Sequence, residues 1–339
     1  MRSHWLIGLS LLLGCGGAAQ GQRGGGADPE MFESRTEAFA APKKQGHVAR
    51  AQRMRAPRVA ALTFTLQGRA FGMPLVHGTV AGVPTWMLID TGANSHVITT
   101  WLAKRARLEM SELGAVGTDH TGRAVKTYRV DAPNVRIDRW GALAAGPMLV
   151  TDVPDAIEQL GIGAFISPQW LGENDEAIVV DFAAGQLSSA GFDDAVSAIG
   201  TRGKSLAPAG GKLCEDSGSS IGGLSFVVPA IVDGRAVQLL VDTGARRTDF
   251  LSSTLIGQSL AARSFPSREQ MYAASGLVRT RVVKGVRVNV GEWGIVTDVE
   301  LVPGIADPTC PRDGVVSMDV LKSCVLVLGR KQFVGRCGA

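Results

Sequence analysis

The 339-residue chain is poor in aromatic and charged side chains. Aromatics make up 6%, with only Tyr128 and Tyr272 as tyrosines, and charged residues 19%. The first shortage removes the stacking platform that binds single-stranded nucleic acid. The second, beside 45% apolar residues, excludes a mostly disordered chain. The five histidines, His4, His47, His77, His96 and His120, show no metal-ligand spacing. Cysteines closely spaced as in zinc sites are missing, so a four-thiolate site is not expected. Gly-x-Ser-x-Gly, phosphate-loop and dinucleotide fingerprints are missing too. No apolar run reaches the roughly 20 residues that span a bilayer.

The formal charge of +4 at first points to an acidic partner, but its placement removes the hint. Arg2 apart, eight basic residues (Arg23, Arg35, Lys43, Lys44, Arg50, Arg53, Arg55, Arg58) stand against four acidic ones in residues 23–58. That leaves 26 basic and 27 acidic residues for 59–339. A nucleic-acid-binding domain carries its basic face on the folded part, so nucleic acid is not an expected partner.

Residues 1–15 read as an export signal, with Arg2 ahead of a short apolar run over Trp5–Leu13. Leu12-Leu13-Gly14-Cys15 resembles the lipobox of bacterial lipoproteins, which makes Cys15 the candidate lipidation site. The alternative is an ordinary signal cut near Ala18-Ala19-Gln20. Either way the chain is expected to be exported. It would be lipid-anchored at the cell envelope in the first case, periplasmic or secreted in the second, and tied to a membrane by a lipid only. Residues 16–58 are Gly-rich, charged and aperiodic, and read as a flexible basic tether. A pro-segment covering an acidic cleft is the other reading.

Four cysteines remain: Cys214, Cys310, Cys324 and Cys337. An even number in an exported chain points to disulfides, here with three connectivities, or else to free thiols. Val325–Leu328 and Phe333–Gly335 read as strands around a turn at Gly329–Gln332. Centring that turn on Arg330-Lys331 sets Cys324 opposite Cys337, within bridging reach. Cys214 and Cys310 then follow as the second pair.

The main signal is an internal repeat. Val80–Ala93 and Val232–Ala245 match at an offset of 152, each a Gly turn, an apolar strand and Asp-Thr-Gly-Ala. Residues 135–141 match 288–294, 164–171 match 314–321, and the hairpins 179–187 and 325–333 match in turn. Four segments in order, with slowly drifting offset, make the chain two diverged copies of one unit, 59–200 and 201–339. Two copies imply two similar lobes about a pseudo-two-fold axis, which suits a monomer. Strand-like runs at 60–66, 76–81, 85–90, 125–130, 134–137 and 147–151 make the fold mainly β. Short helices are expected at Thr100–Leu108 and Ser253–Arg263, with shorter turns after Ser167 and Ser317.

One Asp-Thr-Gly is a common turn. Two at equivalent points of a two-lobed repeat place Asp90 and Asp242 as a facing pair on the axis. Carboxylates about 3 Å apart cannot both ionise, so they share a proton and titrate as a unit. Thr91 and Thr243 have hydroxyls suited to backbone groups across the axis, and Gly92 and Gly244 allow a close approach. A water between the carboxylates would be the nucleophile, with one Asp as general base.

Asp90-Thr91-Gly92-Ala93 and Asp242-Thr243-Gly244-Ala245, each after an apolar strand, resemble the motifs of aspartic peptidases. The Ala after Gly is similar to retropepsin-like enzymes, and two copies in one chain to the bilobal pepsin-like layout. The resemblance covers roughly 60–337. It implies an all-β fold of two homologous β-barrel-like lobes with few short helices, a cleft between them, an endopeptidase acting on peptide or protein substrates, and no metal or organic cofactor. It also implies flaps, for which Asp119–Arg123 with Gly122 and Ala274–Leu277 with Gly276 are the candidates; ordinary surface hairpins are the alternative. Asn94 and Arg246 fall at the position beside a bound peptide. Two departures stand out. Ser167 and Ser317 occupy a position usually glycine, where a hydroxyl would either be tolerated or hydrogen-bond near the loop. Arg247, if it lay against the pair, would lower both pKa values and remove the shared proton. A non-catalytic, inhibitor-like or peptide-binding protein that keeps the fold is the other functional reading.

Overall fold

The structure, a computed structural model, describes residues 8–10, 14–15, 57–113, 117–173, 176–201, 203–207, 211–215, 223–305 and 310–338. The stretch read as tether or pro-segment lies outside these residues except for Pro57 and Arg58. Arg58, counted above with the basic tail, belongs to the body. Its guanidinium pairs with Glu173 and Glu176 and lies 5.0 Å from the Trp140 ring.

Each copy opens with a hairpin. In the first, β1 (Arg69–Val80) and β2 (Val83–Ile89) turn at Ala81-Gly82. In the second, the turn is at Asp233-Gly234. All four turn residues have positive φ, as a two-residue turn matched to strand twist requires. The outgoing strands are apolar and end in three consecutive buried residues, Met87–Ile89 and Leu239–Val241. Such ends fit only between other elements, so both motifs that follow are delivered into the interior.

The rest of the first copy is β3 (Val97–Thr99), α1 (Thr100–Arg105), β4 (Thr127–Val130), β5 (Val135–Ile137), β6 (Met148–Thr151) and β7 (Ile162–Ile166). They line up as β5-β1-β2-β7-β3-β6-β4, with parallel pairing at β2–β7 and β3–β6. A hairpin of β8 (Glu176–Asp181) and β9 (Gln186–Gly191) closes the copy.

The second copy repeats the pattern. β10 (Leu224–Val232), β11 (Arg235–Val241), β12 (Asp249–Leu251), α2 (Leu255–Ala261), β13 (Arg281–Val290), β14 (Trp293–Val302) and β15 (Gly314–Val316) run in the order β10-β11-β15-β12-β14-β13. β13 pairs back onto β10, so the sheet closes into a barrel. Parallel steps fall at β11–β15 and β12–β14, the counterparts of those in the first copy. The fold is thus mainly β, two β-barrel-like lobes about a pseudo-two-fold axis.

The helices are shorter than their sequence windows. α1 is capped by Thr99, whose hydroxyl accepts from Leu102 N, and α2 by Thr254, which accepts from Gly257 N. A 3-10 turn, Pro168–Trp170, and a short α3 (Met318–Leu321) follow the two serines.

A third sheet joins the copies. β16 (Cys324–Leu328) and β17 (Phe333–Cys337) form the closing hairpin of the second, and β16 pairs antiparallel with β8 of the first. Cys324 stands opposite Cys337 in that register and is bonded to it, and Cys214 is bonded to Cys310. Phe165, Phe226, Phe250 and Leu88 are among the large side chains sealed in the core.

Candidate active site

Each Asp-Thr-Gly loop leaves a buried strand end and is pinned at once. Asp90 N donates to Ile166 O at 2.9 Å, and Asp242 N to Val316 O at 3.0 Å. Within each loop the carboxylate Oδ1 accepts from the glycine N–H two residues on, at 2.8 Å in both copies; Asp90 Oδ1 also accepts from Ala93 N at 3.1 Å.

The threonines cross between copies. Thr91 Oγ1 donates to Val241 O and Thr243 Oγ1 to Ile89 O, both at 2.7 Å. In return each hydroxyl accepts the other threonine's N–H, both at 3.0 Å. Four buried hydrogen bonds obey one two-fold operation. They lock the two loops to a common origin.

The carboxylates then face each other. A Cβ on Gly92 would lie 2.6 Å from the Asp242 carboxyl carbon, and one on Gly244 2.4 Å from that of Asp90. Only glycine admits this approach. Both aspartates are fully buried, and the Oδ2 of each meets no hydrogen-bonding partner outside the pair among the described residues. Burial pushes both pKa values up. The facing Asp242 charge raises Asp90 further, to well above the carboxylate range, while the nearby His120 holds Asp242 back. The pair therefore keeps a proton at pH values where an ordinary aspartate has lost it.

The surrounding shell also follows the repeat. His96 Nδ1 accepts from Ser167 N, and Thr248 Oγ1 from Ser317 N, each at 3.2 Å. Burial drives His96 down to about 4, so its ring is neutral and free to accept. The serine hydroxyls, one of whose expected roles was a hydrogen bond near the loop, have no partner among the described residues; it is their N–H groups that serve. Gln169 Nε2 donates to Thr91 O, Ala93 O and Leu224 O. At its counterpart, Asp319 accepts from Thr248 and Thr297.

Arg247 does not act on the pair as expected. Its guanidinium binds Glu269 at 2.8 Å and lies 3.7 Å from Glu300, while Arg246 also binds Glu269. With those charges answered locally, both dyad pKa values move up instead of down. The two arginines, Glu269, Gln270 and Glu300 line a small polar pocket beside Ala245 of the second loop. Asn94 lies outside it, its carbonyl taken by Trp170 Nε1 and Leu224 N.

Both flap candidates are hairpins. Gly117–Thr118 pairs with Ala124–Val125, and Met271–Ala273 with Gly276–Val278; Gly122 and Gly276 have positive φ. Asp119 Oδ2 accepts from Ser275 N at 3.1 Å, joining one tip to the other. Sequence reading passed over His120, whose Nε2 lies 3.0 Å from Asp249 Oδ2. A signal existed: Asp249 stands in an otherwise apolar strand where the first copy has Val97. Among the described residues there is no cluster of metal-ligating side chains and no helix able to cross a membrane.

Two β-barrel-like lobes whose paired aspartates meet on the axis between them define the aspartic peptidase class. A family model, "Aspartyl protease", matches residues 76–164 and again 228–320, one match for each copy, and this chain belongs to that family. No curated protein matches it. Among solved structures, an aspartic proteinase from Irpex lacteus aligns at 10% identity and a TM-score of 0.44, over 84% of this chain and 98% of its own. The EIAV protease, solved with the inhibitor HBY-793, aligns at 23% identity and a TM-score of 0.21, over 26% of this chain and 89% of its own.

Gly92→Ala or Gly244→Ala drives a methyl group into the opposite carboxyl. Each should cost about 1–3 kcal/mol in chemical denaturation, as overpacking does; an unchanged midpoint would mean that the loops are not in contact.

Stability should also fall as pH rises from 6 to 8. Asp90 is raised, Glu300 is raised to about 7 by burial and the Asp249 charge, and His120 is raised. Each native group then holds protons that the unfolded chain has released or is releasing, so unfolding gains ground with pH. Below this window neutral His96 acts with the opposite sign. Calorimetric scans should show a lower melting temperature at pH 8 than at pH 6; a rise would contradict the burial of these groups.

Proposed function

We propose that this chain is an aspartic endopeptidase whose attacking water is held between Asp90 and Asp242. The observation that carries the reading is the reciprocal loop geometry, which buries two carboxyls face to face and raises both pKa values. Asp242 is the general base and takes a proton from the water. Asp90 carries the shared proton and gives it to the peptide carbonyl oxygen as the oxygen of the water bonds to carbon. The proton on Asp242 then passes to the leaving amine as the carbon–nitrogen bond breaks, while one hydroxyl of the gem-diol returns its proton to Asp90, leaving a carboxylic acid and the pair with its one shared proton. General acid–base help of this kind is worth about 10²–10⁴-fold, with positioning supplying more.

An extended peptide is the substrate form that suits the hairpins. Gly8–Ser10 lies parallel to Met271–Ala273, and Gly14–Cys15 antiparallel to Gly117–Thr118, so a strand from the chain itself pairs with an edge of each. Main-chain pairing gives affinity without demanding one sequence. One chain supplies both carboxylates, so a monomer suffices. The full chain should cleave a mixed peptide library, with its maximum above the ordinary Asp range of about 4. Asp90→Asn and Asp242→Asn should each abolish cleavage. Cleavage that survives both substitutions excludes the pair, and peptide binding without cleavage by any form points to a non-catalytic binder.

The same reading takes Met1–Gly14 as an export signal and Cys15 as the lipid acceptor, which anchors the peptidase at the cell envelope. Fatty-acid labelling of bacteria expressing the gene should mark the wild type and not Cys15→Ser. An unlabelled wild type would leave a protein released after cleavage near Ala18-Ala19-Gln20.

A further inference from the structure

The tip of the first hairpin carries a histidine that the chemistry above does not use. His120 is 1% exposed, although it sits in a loop between two short strands. Its Nε2 lies 3.0 Å from Oδ2 of Asp249, the first residue of β12 in the other copy. The first copy has Val97 at that strand position. The pair is therefore not part of the duplicated plan but a feature of one lobe reaching the other. Two further contacts seat the same tip on the second copy. Asp119 Oδ2 accepts from Ser275 N, and a Cβ on Gly304 would lie 3.0 Å from Thr121 O, so the two backbones touch.

Charged groups among the described residues act on the ring from several elements, beside Asp119 of its own tip. Asp249 faces it from β12, Asp242 from the second Asp-Thr-Gly loop and Arg312 from the segment before β15, while Glu300 of β14 faces Asp249. Burial pulls the imidazole down, but Asp249 outweighs that with help from Asp242 and against Arg312, so the ring titrates above its ordinary value. In turn, after burial itself, His120 is the largest influence on Asp242, and it acts to keep that carboxyl ionised.

We propose that His120 is a positioning residue for the aspartate pair: its imidazolium, held by Asp249, clamps the first hairpin onto the second lobe and makes Asp242 the ionised member, leaving the shared proton on Asp90. A device of this kind breaks a symmetry. The loops are nearly alike, and the extra N–H that Asp90 accepts from Ala93 would by itself favour ionising Asp90; a cation acting on Asp242 reverses that preference. The division of roles rests on the peptidase reading; the coupling between His120 and Asp242 does not.

The experiment is an NMR titration of the histidine ring signals in the full chain, with the His120 signal identified by its loss in His120→Gln. In the wild type it should titrate above the ordinary histidine value of about 6.5. In Asp242→Asn its midpoint should fall, because coupling between two sites is reciprocal. A ring that titrates at the same pH in both proteins, or is neutral at pH 6.5 in the wild type, overturns the proposal whether or not the chain cleaves peptides.

With a peptide that the wild type cleaves, His120→Gln should move the acid limb of kcat/KM to higher pH by roughly one unit, the scale of a lost neighbouring charge. His120→Lys, which keeps a cation, should restore much of that limb. A loss of activity uniform across pH would mark the histidine as structural only and would also overturn the proposal.

Discussion

Thr91 and Thr243 exchange four hydrogen bonds across the axis, and everything else at the candidate site depends on that exchange. Each hydroxyl gives its proton to the other strand's last carbonyl and accepts the other loop's N–H. No water competes in a buried position, so neither loop can drift without leaving polar groups unpaired, at about 1–3 kcal/mol each. The cross-link sets the glycines against the opposing carboxyls. Burial raises both pKa values, and the facing Asp242 raises that of Asp90 further. Without the cross-link, the two loops would lose the common origin that sets their carboxyls face to face.

The two copies keep this frame and diverge around it. His96 and Thr248 do one task with different chemistry, each accepting a serine N–H beneath its loop. Gln169 donates to three carbonyls, whereas Asp319 at the matching place accepts from two threonines. The second copy holds most of the nearby charge: Asp249, Glu269, Glu300, Arg246 and Arg247. Around its own loop the first copy offers neutral polar groups instead, His96, Ser167 and Gln169. Duplication supplies the symmetric part, and the later asymmetry falls on the groups that bias one carboxyl against the other.

Much of this was legible in the sequence because it was written twice. The strand runs and hairpin turns rest on local spacing, the register of Cys324 opposite Cys337 follows from a turn of known length, and Cys214 with Cys310 was what remained. Helix ends were less legible, since Thr99 and Thr254 took the caps and the turns after them tightened early. Side-chain partners across the cleft were not legible. Nothing near Arg247 in the chain announces Glu269 or Glu300, so where its charge would be spent could not be read. His120 and Asp249 are 129 positions apart with no periodicity linking them. Arg58 looked like one more tail cation, because the pair of glutamates and the Trp140 ring that hold it lie more than 80 residues away.

The sheet shared by β8, β9, β16 and β17 bears on how the molecule is made. Its central pairing joins Ile178 to Leu328 and Asp181 to Val325, so a strand of the first copy's closing hairpin is completed by the closing hairpin of the second. Contacts of such long sequence separation are entered late, after loop-closure entropy has been met elsewhere. During synthesis that strand edge of the first copy stays unpaired until the closing hairpin of the second copy emerges. An acid pair that needs both halves cannot form on a partial chain, so a nascent or truncated product has no complete site with which to cut its surroundings.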